Sequence, residues 1–179
     1  MIKYTIGFIR QGSRILLLNR EKASWMGAWN GVGGSIEPNE TPREGILREI
    51  AEETGVAVES VQFKGIVTWI VDGKITGGMY AYVAELPEDY AYATPIKMDE
   101  GILDWKEMQW ILHPKNVGLA ANIQGSLERM LFDPACYEYR CTYDNGKLLQ
   151  QQFIALDEEI EFEEADKAVD RMLAACSVS

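Results

Sequence analysis

The chain has 179 residues, 47% hydrophobic and 25% charged, which suits one domain with a sizeable core, or one domain and a small appendage, and leaves no room for a second catalytic domain. Its 28 acidic residues against 17 lysines and arginines give a formal net charge of −11, which argues against a nucleic-acid polymer or an anionic membrane as partner, because both need clustered cations. Small phosphorylated molecules remain open as partners, since a metal ion can supply the positive charge.

The first twenty residues, MIKYTIGFIRQGSRILLLNR, hold two short apolar runs divided by Gln11-Gly12-Ser13 and predict strands over 3–10 and 14–19. Neither the unbroken apolar core of a signal peptide nor the roughly eighteen residues of a membrane span is present, so a cytoplasmic protein is expected. Arg20 and Lys22 follow the second strand, where surface solvation is their default and contact with a phosphate the functional alternative. A loop then carries Trp25, Trp29, Asn30 and the glycines Gly31, Gly33 and Gly34. Trp29 reads as packing beneath this loop, whereas Trp25 suits either packing or stacking on a ligand.

From Gly34 to Val56 the chain reads GSIEPNETPREGILREIAEETGV, which fits G-x5-E-x7-R-E-U-x-E-E-x-G-U, with U a bulky aliphatic. Thr41-Pro42-Arg43-Glu44 is a capping box with proline at the first helical position, and Gly55 supplies a left-handed end, so a helix of three to four turns starts near Pro42. At about 100° per residue, Ile46, Leu47, Ile50 and Ala51 share one side while Glu49, Glu52 and Glu53 share the other. Carboxylates at i, i+3 and i+4 repel by a few tenths of a kcal/mol per pair, a cost offset by a divalent cation among them. Hard oxygen donors select Mg²⁺, with Mn²⁺ as the alternative. Gly45 falls between Glu49 and Glu52, giving either clearance for metal and phosphates or a close helix-to-loop contact. Alone, a triple-Glu face is usually a solvated one; Gly33-Gly34 and Glu40 at fixed distances from Arg48 reverse that reading.

Strands are predicted over 61–71 and 75–84, joined by the Asp72-Gly73 turn, and over 103–110; a helix is predicted over 119–132. Just before the third of these strands stand Asp99 and Glu100, either loop acids or members of the site. His113, the only histidine, precedes a proline, which gives little support to a histidine triad or a zinc site. Segments 137–143 and 148–156 flank Asp144-Asn145-Gly146-Lys147, a strong hairpin signal. Cys136, Cys141 and Cys176 lack metal-site spacing and read as reduced thiols. The tail, 157–176, reads as a separate acidic amphipathic helix with Ile160, Ala168, Val169, Met172 and Leu173 as contacts, docked on its own domain or forming a dimer or lid.

The run from Gly34 to Val56 resembles the signature of the Nudix hydrolases, which cut a phosphoanhydride bond in a nucleoside diphosphate linked to another group. The resemblance extends in layout over 1–156 and implies an α/β/α sandwich around a mixed β-sheet, with residues 157–179 as an extra C-terminal element. It implies metal binding by Glu49, Glu52 and Glu53 and by the Gly33 carbonyl, with Glu100 as a further metal-binding or water-activating acid, a catalytic base at Glu53 or Glu100 with Glu52 beside it, and positioning roles for Arg48 and Glu40. Gly34 and Gly55 are structural in the motif. The approach Trp25–Gly34 and the late hairpin resemble the MutT-type branch that hydrolyses oxidised purine nucleoside triphosphates to NMP and pyrophosphate, where the residue matching Asn30 bonds the base. That branch's human-type member reads the base with an adjacent Asp pair. Here the matching stretch is His113-Pro114-Lys115-Asn116-Val117-Gly118-Leu119-Ala120-Ala121-Asn122, in which Asn116 or Asn122 stands as the substitute. Alternatives are an ADP-ribose or other nucleotide-sugar pyrophosphatase and a non-catalytic nucleotide sensor, as monomer or homodimer.

Overall fold

The computed structural model describes residues 2–176, of which 174–176 by backbone alone. A nine-stranded mixed sheet runs through the chain. Its strands are β1 (Tyr4–Gln11), β2 (Arg14–Arg20), β3 (Trp29–Asn30), β4 (Gln62–Val71), β5 (Lys74–Glu85), β6 (Ile96–Met98), β7 (Gly101–Glu107), β8 (Cys136–Asp144) and β9 (Lys147–Leu156). They are ordered β6-β7-β2-β1-β5-β4-β8-β9, with β3 pairing β2 off this path. The β1–β5 and β4–β8 pairs are parallel and the others antiparallel.

The pleat sends alternate residues to two separate cores. Leu16, Leu18, Tyr80 and Tyr82 point to one, against Ile46 and Ile50 of α1 (Pro42–Thr54), Ile160 of a 3-10 turn (Glu158–Phe162), and Ala168 and Met172 of α5 (Ala165–Cys176). Ile15, Leu17, Ala81 and Val83 point to the other, against α2 (Met108–Ile111), α3 (Ala121–Gln124) and α4 (Leu127–Phe132). With helices on both faces of a mixed sheet, the architecture is the expected α/β/α sandwich. α1 lies close on β1: a Cβ on Gly7 would stand 2.9 Å from Ile46 Cδ1.

Two tight hairpins form where Asp72-Gly73 and Asn145-Gly146 take positive φ at both central positions (50° and 72°, 48° and 77°), as a type I′ turn requires. Three predicted boundaries move. β7 ends at Glu107 rather than 110, because its partner β2 begins at Arg14, opposite Glu107, and beyond that the ladder has nothing to pair with. The chain turns instead into α2, with the Met108 N–H on the Ser13 carbonyl at 2.8 Å. The helix expected over 119–132 is two short ones, broken at Gly125-Ser126, where the Ser126 hydroxyl bonds back to the Asn122 and Ile123 carbonyls at 3.2 Å. The tail is a 3-10 turn followed by α5 rather than one helix. On α1, Thr54 is buried on the packed side while Ala51, expected there, is exposed. Cys136 and Cys141 are free and buried; the Cys176 thiol lies outside the described residues. Among the described residues no helix is long and apolar enough to cross a membrane.

Gly101 opens β7 opposite Arg20 with φ at +154°, and a Cβ there would drive into the Asn19 carbonyl. Gly101→Ala is therefore expected to lower stability by about 2 kcal/mol, the scale of a strained backbone position, measured as a shift in urea midpoint at unchanged slope. A midpoint equal to the parent's would show that β7 yields at no cost.

Candidate active site

Residues 31–36 run along the start of β1 and bring the acidic motif to the sheet. Gly7 and Val32 exchange backbone bonds of 2.7 and 3.1 Å, the Thr5 N–H reaches the Gly34 carbonyl at 2.9 Å, and the Ile36 N–H reaches that of Lys3 at 2.9 Å. Gly34 is a glycine because Glu49 leaves no room: a Cβ would lie 2.7 Å from its carboxylate carbon. The loop closes on α1 through the Thr41–Glu44 capping box, and α1 ends at Gly55 in the left-handed conformation.

Arg48 joins loop and helix. Its Nε and Nη2 donate to the two oxygens of Glu40 at 2.9 Å each, Nη2 also donates to the Ser35 carbonyl at 3.0 Å, and Nη1 donates to Glu49 at 2.9 Å and Glu52 at 3.2 Å. The hydrogen bond from Arg48 holds the Glu40 carboxyl below its ordinary range. Gly45 serves this junction: it is buried, and a Cβ would meet Glu40 Oε2 at 3.1 Å and Ile36 Cγ1 at 3.7 Å. Of its two readings, the helix-to-loop contact is the one observed.

Glu53 is treated differently from its neighbours. It accepts from the Gly33 N–H at 2.7 Å. Burial pushes its carboxyl up to about 7; Glu49 and Glu100 add repulsion, while the Gly33 N–H and Arg20 act the other way. Glu100 sits in the turn between β6 and β7, its carboxylate paired with the Lys22 ammonium and 3.8 Å from the Arg20 guanidinium.

Glu49, Glu52, Glu53, Asp99 and Glu100 line one cleft of about 530 Å³, together with Arg20, Lys97, Gly33 and Gly34. Arg20, Gly33 and Gly34 also border a second cavity of about 710 Å³, walled by Trp25, Asn30, Tyr4, Trp69, Met79 and Tyr143. Its size suits a small-molecule ligand. Asn30 is buried, its side-chain oxygen accepting from the Gly31 N–H at 2.9 Å. Trp29 packs against the core beneath the loop.

Neither Lys22 nor Asn122 is among the residues lining these two cavities. Asn122 is 1% exposed, and its side-chain oxygen lacks a partner among the described residues. Asn116 is committed to its own loop, donating to the Trp110 carbonyl at 2.9 Å and accepting from the Gly118 N–H at 2.8 Å. Tyr4, Thr5, Trp69, Met79 and Tyr143, which border the larger cavity, escape sequence reasoning because each sits in a strand whose alternation reads as core.

The donor set is chemically that of a hard divalent cation, being carboxylates and backbone oxygens without sulfur or imidazole. Among the described residues no three acids stand gathered as a ready cation cluster. Their hydrogen bonds account for this: Glu49 and Glu52 are held by Arg48, Glu53 by the Gly33 N–H and Glu100 by Lys22. The residues nonetheless fit such an ion, since like charges converge on one cleft and raise the proton affinity of Glu53.

Residues 3–121 match the family model of the NUDIX domain. The chain belongs to the Nudix hydrolase family, whose members generally use divalent metals such as Mg²⁺. It is 28% identical over 101 residues to an uncharacterized Nudix hydrolase, YvcI, of Bacillus subtilis (strain 168), covering 56% of this chain and 62% of that protein, less than two thirds of its length. It is also 28% identical over 109 residues to the oxidized purine nucleoside triphosphate hydrolase of Mus musculus, covering 60% of this chain and 67% of that one. Among solved structures, a MutT protein from Bacillus halodurans shares the fold at a TM-score of 0.68 and 24% identity, over 86% of this chain and 97% of that one. The Nudix domain of Shewanella oneidensis NrtR, solved with ADP-ribose, shares it at a TM-score of 0.57 and 19% identity, over 73% and 86%.

Because the folded state holds the Glu53 proton more tightly than the unfolded one, its contribution to stability is complete below about pH 4.5 and is lost as pH rises through about 7. In chelator, the melting temperature of Glu53→Gln should gain on the parent's across that interval and hold a constant lead above it. Parallel melting curves would show that Glu53 titrates normally.

Proposed function

We propose that the chain is a cytoplasmic, Mg²⁺-dependent pyrophosphohydrolase of purine nucleoside triphosphates, oxidised ones included, releasing NMP and pyrophosphate. The observation that carries this reading is that two unlike spaces share a wall. A cleft lined by five acids has Arg20, Gly33 and Gly34 in common with an aromatic-walled cavity large enough for a nucleoside. The mouse relative, an oxidized purine nucleoside triphosphate hydrolase, supports a triphosphate over other nucleotides.

Mg²⁺, or Mn²⁺, held by Glu49, Glu52, Glu53, Glu100 and the Gly33 carbonyl would neutralise phosphate charge and acidify water. Glu53 takes the proton as water attacks phosphorus and the bond to the pyrophosphate oxygen breaks, with Glu100 the second candidate for that role. Arg20, at the junction of the two spaces, faces the phosphates. Lys22 reaches the same region only through Glu100. Asn30 bonds the base edge, its amide oriented by the Gly31 N–H, and Trp25 offers a stacking surface. Arg48 acts by holding Glu49 and Glu52 rather than by touching substrate.

A Mg²⁺-dependent panel of oxidised and ordinary triphosphates, ADP-ribose and dinucleoside polyphosphates, read as phosphate released by added pyrophosphatase or phosphatase, tests the reading. Purine triphosphates should be cut best, Glu53→Gln should lose about 10²–10⁴ in kcat, and Asn30→Ala should raise KM by roughly tenfold, the cost of about one hydrogen bond. Preferential cleavage of ADP-ribose would transfer the site to nucleotide sugars. Binding without cleavage of any member would make the chain a sensor.

A further inference from the structure

The tail beyond β9 meets the acid-bearing helix at one buried ion pair. Glu161, in the 3-10 turn, is 4% exposed. Its two carboxylate oxygens accept from Arg43 Nε at 2.9 Å and Nη2 at 2.7 Å, and the first also accepts from the Tyr82 hydroxyl at 3.0 Å. Arg43 lies in the first turn of α1, on the same row as Ile46 and Ile50 and on the side away from Glu52. Its remaining nitrogen donates to the Val61 carbonyl at 2.6 Å, and its guanidinium stands 5.9 Å from the Tyr82 ring centroid. One residue of the tail thus fastens the start of α1 to β5, while Arg43 itself reaches the residue before β4.

A second anchor holds the tail in place. Arg140 of β8 donates to the Met172 carbonyl of α5 at 3.3 Å and pairs through two bonds with Glu138, which is fully buried and also accepts from the Thr68 hydroxyl at 2.7 Å. Beside and between the anchors, Ile160, Ala168 and Met172 are buried in the core that contains Ile46 and Ile50. Glu161 lies beyond residues 3–121, so the tail's side of this brace is outside the part of the chain that the family model matches, while Arg43 and Tyr82 are inside it.

From this geometry we infer that Glu161 is a positioning residue for the metal site: acting through Arg43, the C-terminal segment sets the placement of α1 and thereby of Glu49, Glu52 and Glu53. The inference rests on the reading of those acids as metal ligands. The helix transmits position because it is stiff, with Arg43 and Glu53 about 15 Å apart along its axis at 1.5 Å per residue. Its far end is fixed by the bond from Gly33 to Glu53 and its middle by Arg48, while the first turn is held by the Thr41–Glu44 capping box and, through Arg43, by the Val61 carbonyl and Glu161 of the tail.

Glu161→Gln keeps the shape but turns one acceptor oxygen into an NH₂ group against a guanidinium nitrogen. Calorimetric Mg²⁺ binding to the free protein should weaken by about tenfold, in the range for residues that support metal ligands, and kcat should fall by a similar factor while KM for nucleotide stays within about twofold. Glu161→Asp should recover part of both losses, and Tyr82→Phe, which removes one bond of three, should shift both in the same direction by less. Amide hydrogens of residues 45–48 should exchange faster in Glu161→Gln. Parent-like metal affinity, kcat and exchange in a variant that merely melts lower would overturn the inference. A parent that binds Mg²⁺ but cleaves nothing would defeat the proposed activity and leave the brace to be judged by metal affinity. A parent that binds no Mg²⁺ would defeat the inference together with the metal assignment.

Discussion

Arg48 makes five hydrogen bonds in three directions: to Glu40 in the loop, to the Ser35 carbonyl at the loop's start, and to Glu49 and Glu52 on its own helix. Residues 31–36 are bound to β1 on one side and to this guanidinium on the other, so sheet, loop and helix meet at a single side chain. A lysine cannot replace it, because one ammonium lacks the planar fork that spans Glu40 while still reaching the helix acids. The same charge makes the acidic face of α1 tolerable. Carboxylates packed at helical spacing would otherwise repel along the surface that must remain ordered. Gly34 and Gly45 follow from this clustering, one yielding space to Glu49 and the other to Glu40.

The partners of the acids divide their chemistry. Arg48 compensates Glu40, Glu49 and Glu52, and Lys22 compensates Glu100, each through a charged hydrogen bond. Glu53 has only a backbone N–H and the more distant Arg20 against its burial, and is the acid whose proton affinity rises into the neutral range. A carboxyl tuned near neutrality is suited to moving protons. The distinction arises without any difference in residue type. It comes from burial, which for Glu53 outweighs the Gly33 N–H and the more distant Arg20.

What was legible in the sequence was local. The capping box at Thr41, the left-handed Gly55 and the two X-Gly turns each depend on residues within four positions of one another, so their chemistry is written in consecutive letters. The acids of α1 were legible for the same reason. The end of β7 was not, because it is set by where β2 starts some ninety residues earlier. Gly45 was ambiguous because its neighbour Glu40 is brought over it by a loop whose path no spacing reveals. Ala51 was misplaced because a helical wheel of 100° steps gives a direction but not how far the core extends around it. The walls of the larger cavity were hidden by the converse problem. Trp69 and Met79 have the alternation of core residues, and nothing within either strand tells that Trp25, Asn30 and the glycines after it border the same cavity.

The net charge of −11 poses a constraint that the site resolves locally. A polyphosphate entering a cleft with five carboxylates meets its own sign, and at an effective dielectric of about 20 two such charges 4 Å apart repel by roughly 4 kcal/mol. Arg20 and Lys97 are the cations among the cleft's lining residues, and Arg20 also borders the larger cavity. Both are near acids: Arg20 is 3.8 Å from Glu100, and Lys97 pairs with Glu21. Arg48 and Lys22 already compensate Glu49, Glu52 and Glu100, and Arg20 and Lys97 stand near acids of their own, so under the proposed function the charge that meets the phosphates would be supplied by a metal ion. An acidic protein can therefore act on an anionic substrate without a basic surface, provided that its carboxylates are arranged for a metal ion. In the proposed function the spacing of Glu49, Glu52 and Glu53 along one helix would become such an arrangement once an ion draws them from Arg48 and the Gly33 N–H.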